Sequence, residues 1–247
     1  MIRLLRYCLF LIILSACKSH YHVSEAKPSH YELKTAKNDS ITLLSVLPYK
    51  AGLDKEMKTV IAKSDSSLTR DGFETSIGNF VLMAMEQYIS AKKPDIAVGS
   101  VFIVNRGGLR NNLPLGEITK GNIFELMPFD NELVILKISG QNLMECVKAM
   151  IKEKKLLSWN LYMNLKNNEP DEIYVDAKLF DIHQTYFVIT SDYLAMGGDN
   201  CHFFGKPVSY ETTGLKLRDV IINYCESLTK NNTTIKPVRL GRIKISK

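Results

Sequence analysis

Three short stretches of this sequence combine residue types that suit a small anionic ligand carrying an aromatic ring, and a fourth accompanies them. Asn105-Arg106-Gly107-Gly108-Leu109-Arg110 sets two glycines between an asparagine and an arginine. Paired glycines let the backbone turn sharply and approach a ligand, and asparagine both donates and accepts. Arginine offers a permanently charged planar fork matched to phosphate or carboxylate. Alone, the six residues equally describe a tight strand-to-loop turn with a surface arginine. Met127-Pro128-Phe129-Asp130-Asn131 places a ring behind a proline and near an amide. Tyr193-Leu194-Ala195-Met196-Gly197-Gly198-Asp199 ends an aromatic and a glycine pair in a carboxylate. Either aromatic alone is more often core. Two on separate loops can sandwich a purine, with Asp199 accepting hydrogen bonds from ribose hydroxyls. The fourth stretch, Glu74-Thr75-Ser76-Ile77-Gly78-Asn79, is by itself only a helix start, capped by Thr75 or Ser76.

These stretches lie where predicted elements end. Residues 41–46 read as a first strand. Ile77, Phe80, Val81, Ala84, Met85 and Tyr88 repeat at helical spacing within 75–91. Residues 96–104 form a short β-branched run, a buried strand leading straight into Asn105. Thr119 caps a short helix through 124–127, and 133–138 is a strand that Gly140 ends. Leu143, Val147, Met150 and Ile151 mark an amphipathic helix. Residues 161–181 read as strands broken by turns such as Asn167-Asn168-Glu169-Pro170. A strand over 186–190 runs into the loop 191–200. Leu217, Val220, Ile221 and Tyr224 form a last helical stripe, and 238–245 a closing strand. Such irregular alternation predicts an α+β (mixed α/β) domain rather than a doubly wound sheet.

Before that domain comes a leader. Arg3 and Arg6 precede an apolar run over 7–14 that is too short to span a bilayer. It ends in Leu14-Ser15-Ala16-Cys17, which resembles a bacterial lipobox. The expected organisation is a signal peptide over 1–16, lipidated Cys17 with a polar tether over 17–38, and one folded domain over 39–247. Acyl chains would anchor the protein to the cell envelope by buried methylenes, and Lys18 favours the outer membrane, on its periplasmic or surface face. His20, His22 and His30 fall in the tether, where no preorganised metal geometry exists. The formal charge of +6 is too mild for the basic face of a nucleic-acid binder. With 45% hydrophobic and 23% charged residues, the chain is not disordered. Cys146, Cys201 and Cys225 have no CxxC spacing and read as core thiols, any disulfide among them being left unassigned.

In their order and spacing the four stretches resemble the C-terminal, substrate-binding domain of the 5′-nucleotidase family. That family reads E-[ST]-x-x-G-N, N-G-G-G-[IL]-R, P-F-x-N and [FY]-x-x-x-G-G-D. The resemblance runs from about residue 68 to at least 204 and implies helices covering packed mixed β-sheets. It implies a substrate site of Asn105, Gly107, Gly108, Arg110, Phe129, Asn131, Tyr193, Gly198 and Asp199. Asn105 and Arg110 would hold the nucleotide, with the arginine near phosphate, Phe129 and Tyr193 would clamp the base beside Asn131, and Asp199 would take the ribose. Arg106 replaces a glycine of the usual triple, Tyr193 adds a hydroxyl where phenylalanine is common, and Asn200 replaces a glycine. Arg70 stands one residue out of register with a further family arginine.

The family's catalysis belongs to an N-terminal metallophosphoesterase domain, where Asp, His and Asn in D-x-H, G-D, G-N-H-[DE] and G-H-x-H motifs hold two divalent metals. This chain carries no such set. Its five histidines, with only His183 and His202 beyond the tether, do not assemble a dinuclear site. No catalytic residue and no metal or cofactor is therefore assigned to it, and divalent metals are expected on a separate metallophosphatase partner. The leading expectation is a nucleotide-recognition subunit of a 5′-nucleotidase-like hydrolase in nucleotide catabolism. The alternatives are a stand-alone nucleotide- or nucleoside-binding lipoprotein and a relic that keeps the fold without a ligand.

Overall fold

The computed structural model describes residues 23–31, 39–72, 74–238 and 241–246. The leader, Cys17, His20 and His22 lie outside them. Two compact units divide at Ser45/Val46. In the first, residues 23–31 are exposed and without regular structure. The strand expected over 41–46 is instead part of helix α1 (Ser40–Met57), which has no buried residue. Asp39 explains the difference: its carboxylate accepts from the Ile41 amide at 2.9 Å and the Thr42 hydroxyl at 3.1 Å, capping a leucine-rich segment. No described helix is long and apolar enough to cross a membrane.

The second unit is mixed α/β, as the sequence predicts. Its centre is a five-stranded sheet in the order β10-β4-β9-β2-β5. These strands are β2 (Val101–Asn105), β4 (Glu132–Ser139), β5 (Leu156–Trp159), β9 (Thr185–Ser191) and β10 (Ser209–Lys216). A one-turn helix, α6 (Asp192–Ala195), follows β9. A second sheet joins β6 (Leu161–Lys166), β7 (Glu169–Val175), β8 (Lys178–Leu179) and β11 (Ile243–Ser246). A small ribbon pairs β1 (Val60–Ser64) with β3 (Gly116–Thr119). The reading of 96–104 as one strand is corrected, because Pro94 starts a short helix α3 (Pro94–Ala97) and β2 begins only at Val101. Of the closing strand expected over 238–245, the structure describes β11, while 239–240 lie outside the described residues.

Side-chain alternation along β2 shows how the central sheet is covered. Phe102 and Val104 enter a core with α2 (Ser76–Lys92) and α7 (Leu217–Lys230). Val101 and Ile103 enter a second core with α5 (Gly140–Glu153) and the inner residues of β6 and β7. Two layers thus fix the sheet from both faces. The short helix α4 (Lys120–Leu126) starts with a reciprocal Thr119–Asn122 capping box, as Thr119 predicts. Cys146, Cys201 and Cys225 are free and buried.

Strand direction decides where the loops meet. β2 runs parallel to β9 (Phe102↔Ile189), and β4 runs antiparallel to β9 (Leu133↔Ser191). The end of β2, the start of β4 and the end of β9 therefore emerge at one edge of the sheet. Residues 105–110, 127–131 and 193–199 are the segments attached there.

Candidate functional site

At that edge lies a pocket of ≈ 240 Å³ lined by Asn105, Gly107, Gly108, Arg110, Phe129, Asn131, Tyr193 and Asp199. Eight of the nine residues expected from the sequence meet there. The ninth, Gly198, is not in the lining. It seats a residue that is: a Cβ on Gly198 would fall 2.5 Å from Tyr193 Cζ, so the tyrosine ring lies against bare backbone.

Asp199 is the hub of the polar side. Asn105 Nδ2 donates to its Oδ2 at 2.7 Å, and the Tyr193 hydroxyl donates to its Oδ1 at 2.9 Å. The Asp199 amide donates back to the Tyr193 hydroxyl at 3.3 Å. Asp199 adopts a left-handed backbone (φ 51°, ψ 31°), a conformation that aspartate tolerates better than most residues. Donation to Asp199 raises the Tyr193 pKa, so the phenol stays protonated across neutral pH. Asn105 is buried at the end of β2, and Gly108 makes room for it, since a Cβ there would lie 2.7 Å from Asn105 Oδ1.

Two rings face the pocket. Phe129 and Tyr193 are 39% and 43% exposed, too open for the core role an isolated aromatic usually has. The Arg110 guanidinium lies 5.8 Å from the centroid of Phe129, within cation–π range, and one of its nitrogens donates to Gly107 O at 3.2 Å. Asn131 anchors α7 through its carbonyl, which accepts from the Leu217 amide at 2.8 Å.

Arg106 and Arg70 brace the glycine loop from outside the lining. Arg106 donates to Lys154 O at 3.2 Å and Arg70 O at 2.8 Å. Burial, with the neighbouring Arg70 charge, lowers its pKa. Its side chain thus adds no bulk to the pocket wall. Arg70 in turn donates to the carbonyls of Leu109 and Arg110 at 2.8 and 3.1 Å.

Sequence reasoning passed over Arg218. This buried residue stacks on Phe124 at 4.2 Å, pairs with Asp130 Oδ1 at 2.6 Å and reaches the carbonyls of Met127 and Phe129 at 3.4 and 3.5 Å. Lys216 holds the other Asp130 oxygen at 2.9 Å. Together they fix the loop that carries Phe129. The signal available was a basic pair, Lys216 and Arg218, at the start of a helical stripe.

The fourth motif lies apart from the pocket. Thr75 caps α2 by accepting from the Gly78 amide at 2.9 Å, as expected. Glu74 pairs with the buried Arg242 at 2.9 Å and accepts from the Gly241 amide at 2.7 Å. Asn79 donates to Val238 O at 2.6 Å and accepts from Arg242. This motif fastens the C-terminal segment to α2.

The pocket does not fit a dinuclear metal centre, having one carboxylate and no imidazole. Asp181-Ile182-His183 does spell D-x-H, and Gly198-Asp199 spells G-D. The first is a local turn, with the His183 amide on Asp181 Oδ1 at 2.9 Å, and neither residue lines the pocket. His202 is exposed and also outside the lining. Among the described residues no three His, Cys, Asp or Glu side chains cluster as a metal would require. What the pocket offers is recognition: two ring faces, a carboxylate, an arginine and amides.

Residues 57–206 match the family model described as 5′-nucleotidase, C-terminal domain. The chain is 25% identical over 229 residues to the trifunctional nucleotide phosphoesterase protein YfkN of Bacillus subtilis, covering 86% of this chain and 14% of that protein. It is 27% identical over 213 residues to the apyrase of Tabanus yao, covering 75% and 38%. In fold it resembles the 5′-nucleotidase precursor of Thermus thermophilus, with a TM-score of 0.69 at 21% identity, over 85% of this chain and 44% of that one. The chain thus spans less than half the length of each. With the family model covering most of the described residues, this chain belongs to the 5′-nucleotidase C-terminal domain family.

Proposed function

We propose that this chain is the nucleotide-recognition subunit of a 5′-nucleotidase-like phosphohydrolase. One observation carries the reading: three loops from separate strands bring Phe129, Tyr193, Arg110, Asn105 and Asp199 into a single pocket. The rings suit a base, the carboxylate suits sugar hydroxyls, and Arg110 suits a phosphate. Relatives that are a nucleotide phosphoesterase, an apyrase and a 5′-nucleotidase support the same ligand class.

Arg110 and Asn105 position an ester without generating a nucleophile, so hydrolysis is assigned to a separate metallophosphatase chain bearing the divalent metals. Cys17 is proposed as the lipid anchor that holds the subunit at the cell envelope. The test of ligand class is calorimetric titration of the full chain, purified in detergent, with AMP and adenosine. Saturable AMP binding that is lost in Phe129→Ala and Arg110→Ala is expected, and no binding refutes it. Copurification from the native envelope tests the partner. A second reading, binding without catalysis, is favoured by a lining of rings, amides, an arginine and a single carboxylate with no imidazole, and it stands if no metallophosphatase copurifies.

A further inference from the structure

We propose that the Tyr193 hydroxyl sets the sugar selectivity of the pocket by occupying in advance part of the carboxylate that would receive a nucleotide's 2′- and 3′-hydroxyls. The proposal rests on the nucleotide reading above. An ionised carboxylate has about four acceptor positions, two on each oxygen. Here the protein takes one on each: Tyr193 on Oδ1 at 2.9 Å and Asn105 on Oδ2 at 2.7 Å. A ligand meets Asp199 with half its acceptor capacity committed.

The tyrosine is held in that role. Its ring lies against the Gly198 backbone, where even a methyl group would meet Cζ at 2.5 Å. Its oxygen also accepts the Asp199 amide at 3.3 Å, so one hydroxyl both donates to and accepts from the same left-handed residue. Phenylalanine would fill the same ring volume and leave both positions on Oδ1 to the ligand. Each sugar hydroxyl therefore gains less here than on an uncommitted carboxylate, and removing one costs less. The pocket should accept ribo- and 2′-deoxyribonucleotides with similar affinity.

Calorimetric titration of the full chain in detergent with AMP and 2′-deoxy-AMP decides the matter. The unmodified protein should bind the two within about threefold of each other. Tyr193→Phe should widen the ratio in favour of AMP by at least about threefold. Tyr193→Leu should weaken both ligands through lost stacking, yet widen the ratio in the same direction. Unmodified protein that already prefers AMP by more than about tenfold overturns the proposal whether or not the variants fold. So does a ratio unchanged or narrowed in the variants. In both cases AMP binding survives and the nucleotide reading with it, whereas absence of AMP binding overturns both.

Discussion

Arg218 and Asp130, 88 residues apart in the chain, form a 2.6 Å ion pair that ties the start of α7 to the loop carrying Phe129. The arginine is nearly enclosed and its partner largely solvated, so the pair is anchored from the arginine side. Arg218→Met removes the charge together with its ring stack on Phe124 and its carbonyl contacts. A stability loss of about 1–3 kcal/mol is expected by urea unfolding. AMP affinity should fall beyond what global stability explains, because Phe129 loses its fixed loop. Unchanged affinity in a folded variant would remove Arg218 from any positioning role.

The two pocket glycines should respond differently to the same methyl group. On Gly108 it would sit 2.7 Å from Asn105 Oδ1, on Gly107 no closer than 3.7 Å to any heavy atom. The Asn105 amide is short, buried and bonded to Asp199, so Gly108→Ala must displace it from the pocket wall and remove the bond that orients the Asp199 carboxylate. Expected are an AMP affinity at least about tenfold weaker with a modest change in unfolding midpoint for Gly108→Ala, and near-normal values for Gly107→Ala. Equal effects would show that the Asn105–Asp199 bond does not organise the site.

The site was more legible in the sequence than the frame around it. Glycine pairs after β-branched runs marked the ends of two strands, Pro128-Phe129 marked the start of a third, and strand direction brought all three to one sheet edge. Local signals misled where a cap decided the outcome: Asp39 starts a helix through β-branched Ile41, Thr42 and Val46 as well as the leucines between them, and Pro94 delays β2. The strand β10 was passed over because it is an exposed polar edge without an apolar alternation. Arg106 could not be oriented from sequence, since its partners are backbone carbonyls of Lys154 and Arg70, brought close only by the fold.

Glu74 and Arg242 make a second test of a motif whose role is structural. The guanidinium is almost wholly buried, 4.5 Å from the Trp159 centroid, and burial lowers its pKa. Glu74→Ala leaves that charge without its carboxylate and should cost about 3–5 kcal/mol. Arg242→Met should cost less, because Glu74 keeps the Gly241 amide and no buried cation is left without its pair. The order of the two urea midpoints checks this, and the reverse order would mean that packing against Trp159, not charge pairing, holds the C-terminal segment.

Glu86 gives the clearest pH dependence. Burial raises its pKa, partly offset by hydrogen bonds from Asn160 and Trp159. An acid whose folded pKa lies above its unfolded value of about 4.3 destabilises the fold wherever it is ionised. That penalty is complete above the folded pKa and vanishes as pH falls below the unfolded one. Asp130 has the opposite sign, because Lys216 and Arg218 hold its pKa down. Its contribution is present above about pH 3.9 and is lost as pH falls through its folded value. Glu86→Gln should therefore raise the urea midpoint at pH 7 and leave it nearly unchanged at about pH 3.5, where the native side chain is already neutral. A gain that persists undiminished at that lower pH would trace it to packing or to the Asn160 hydrogen bond rather than to the buried charge.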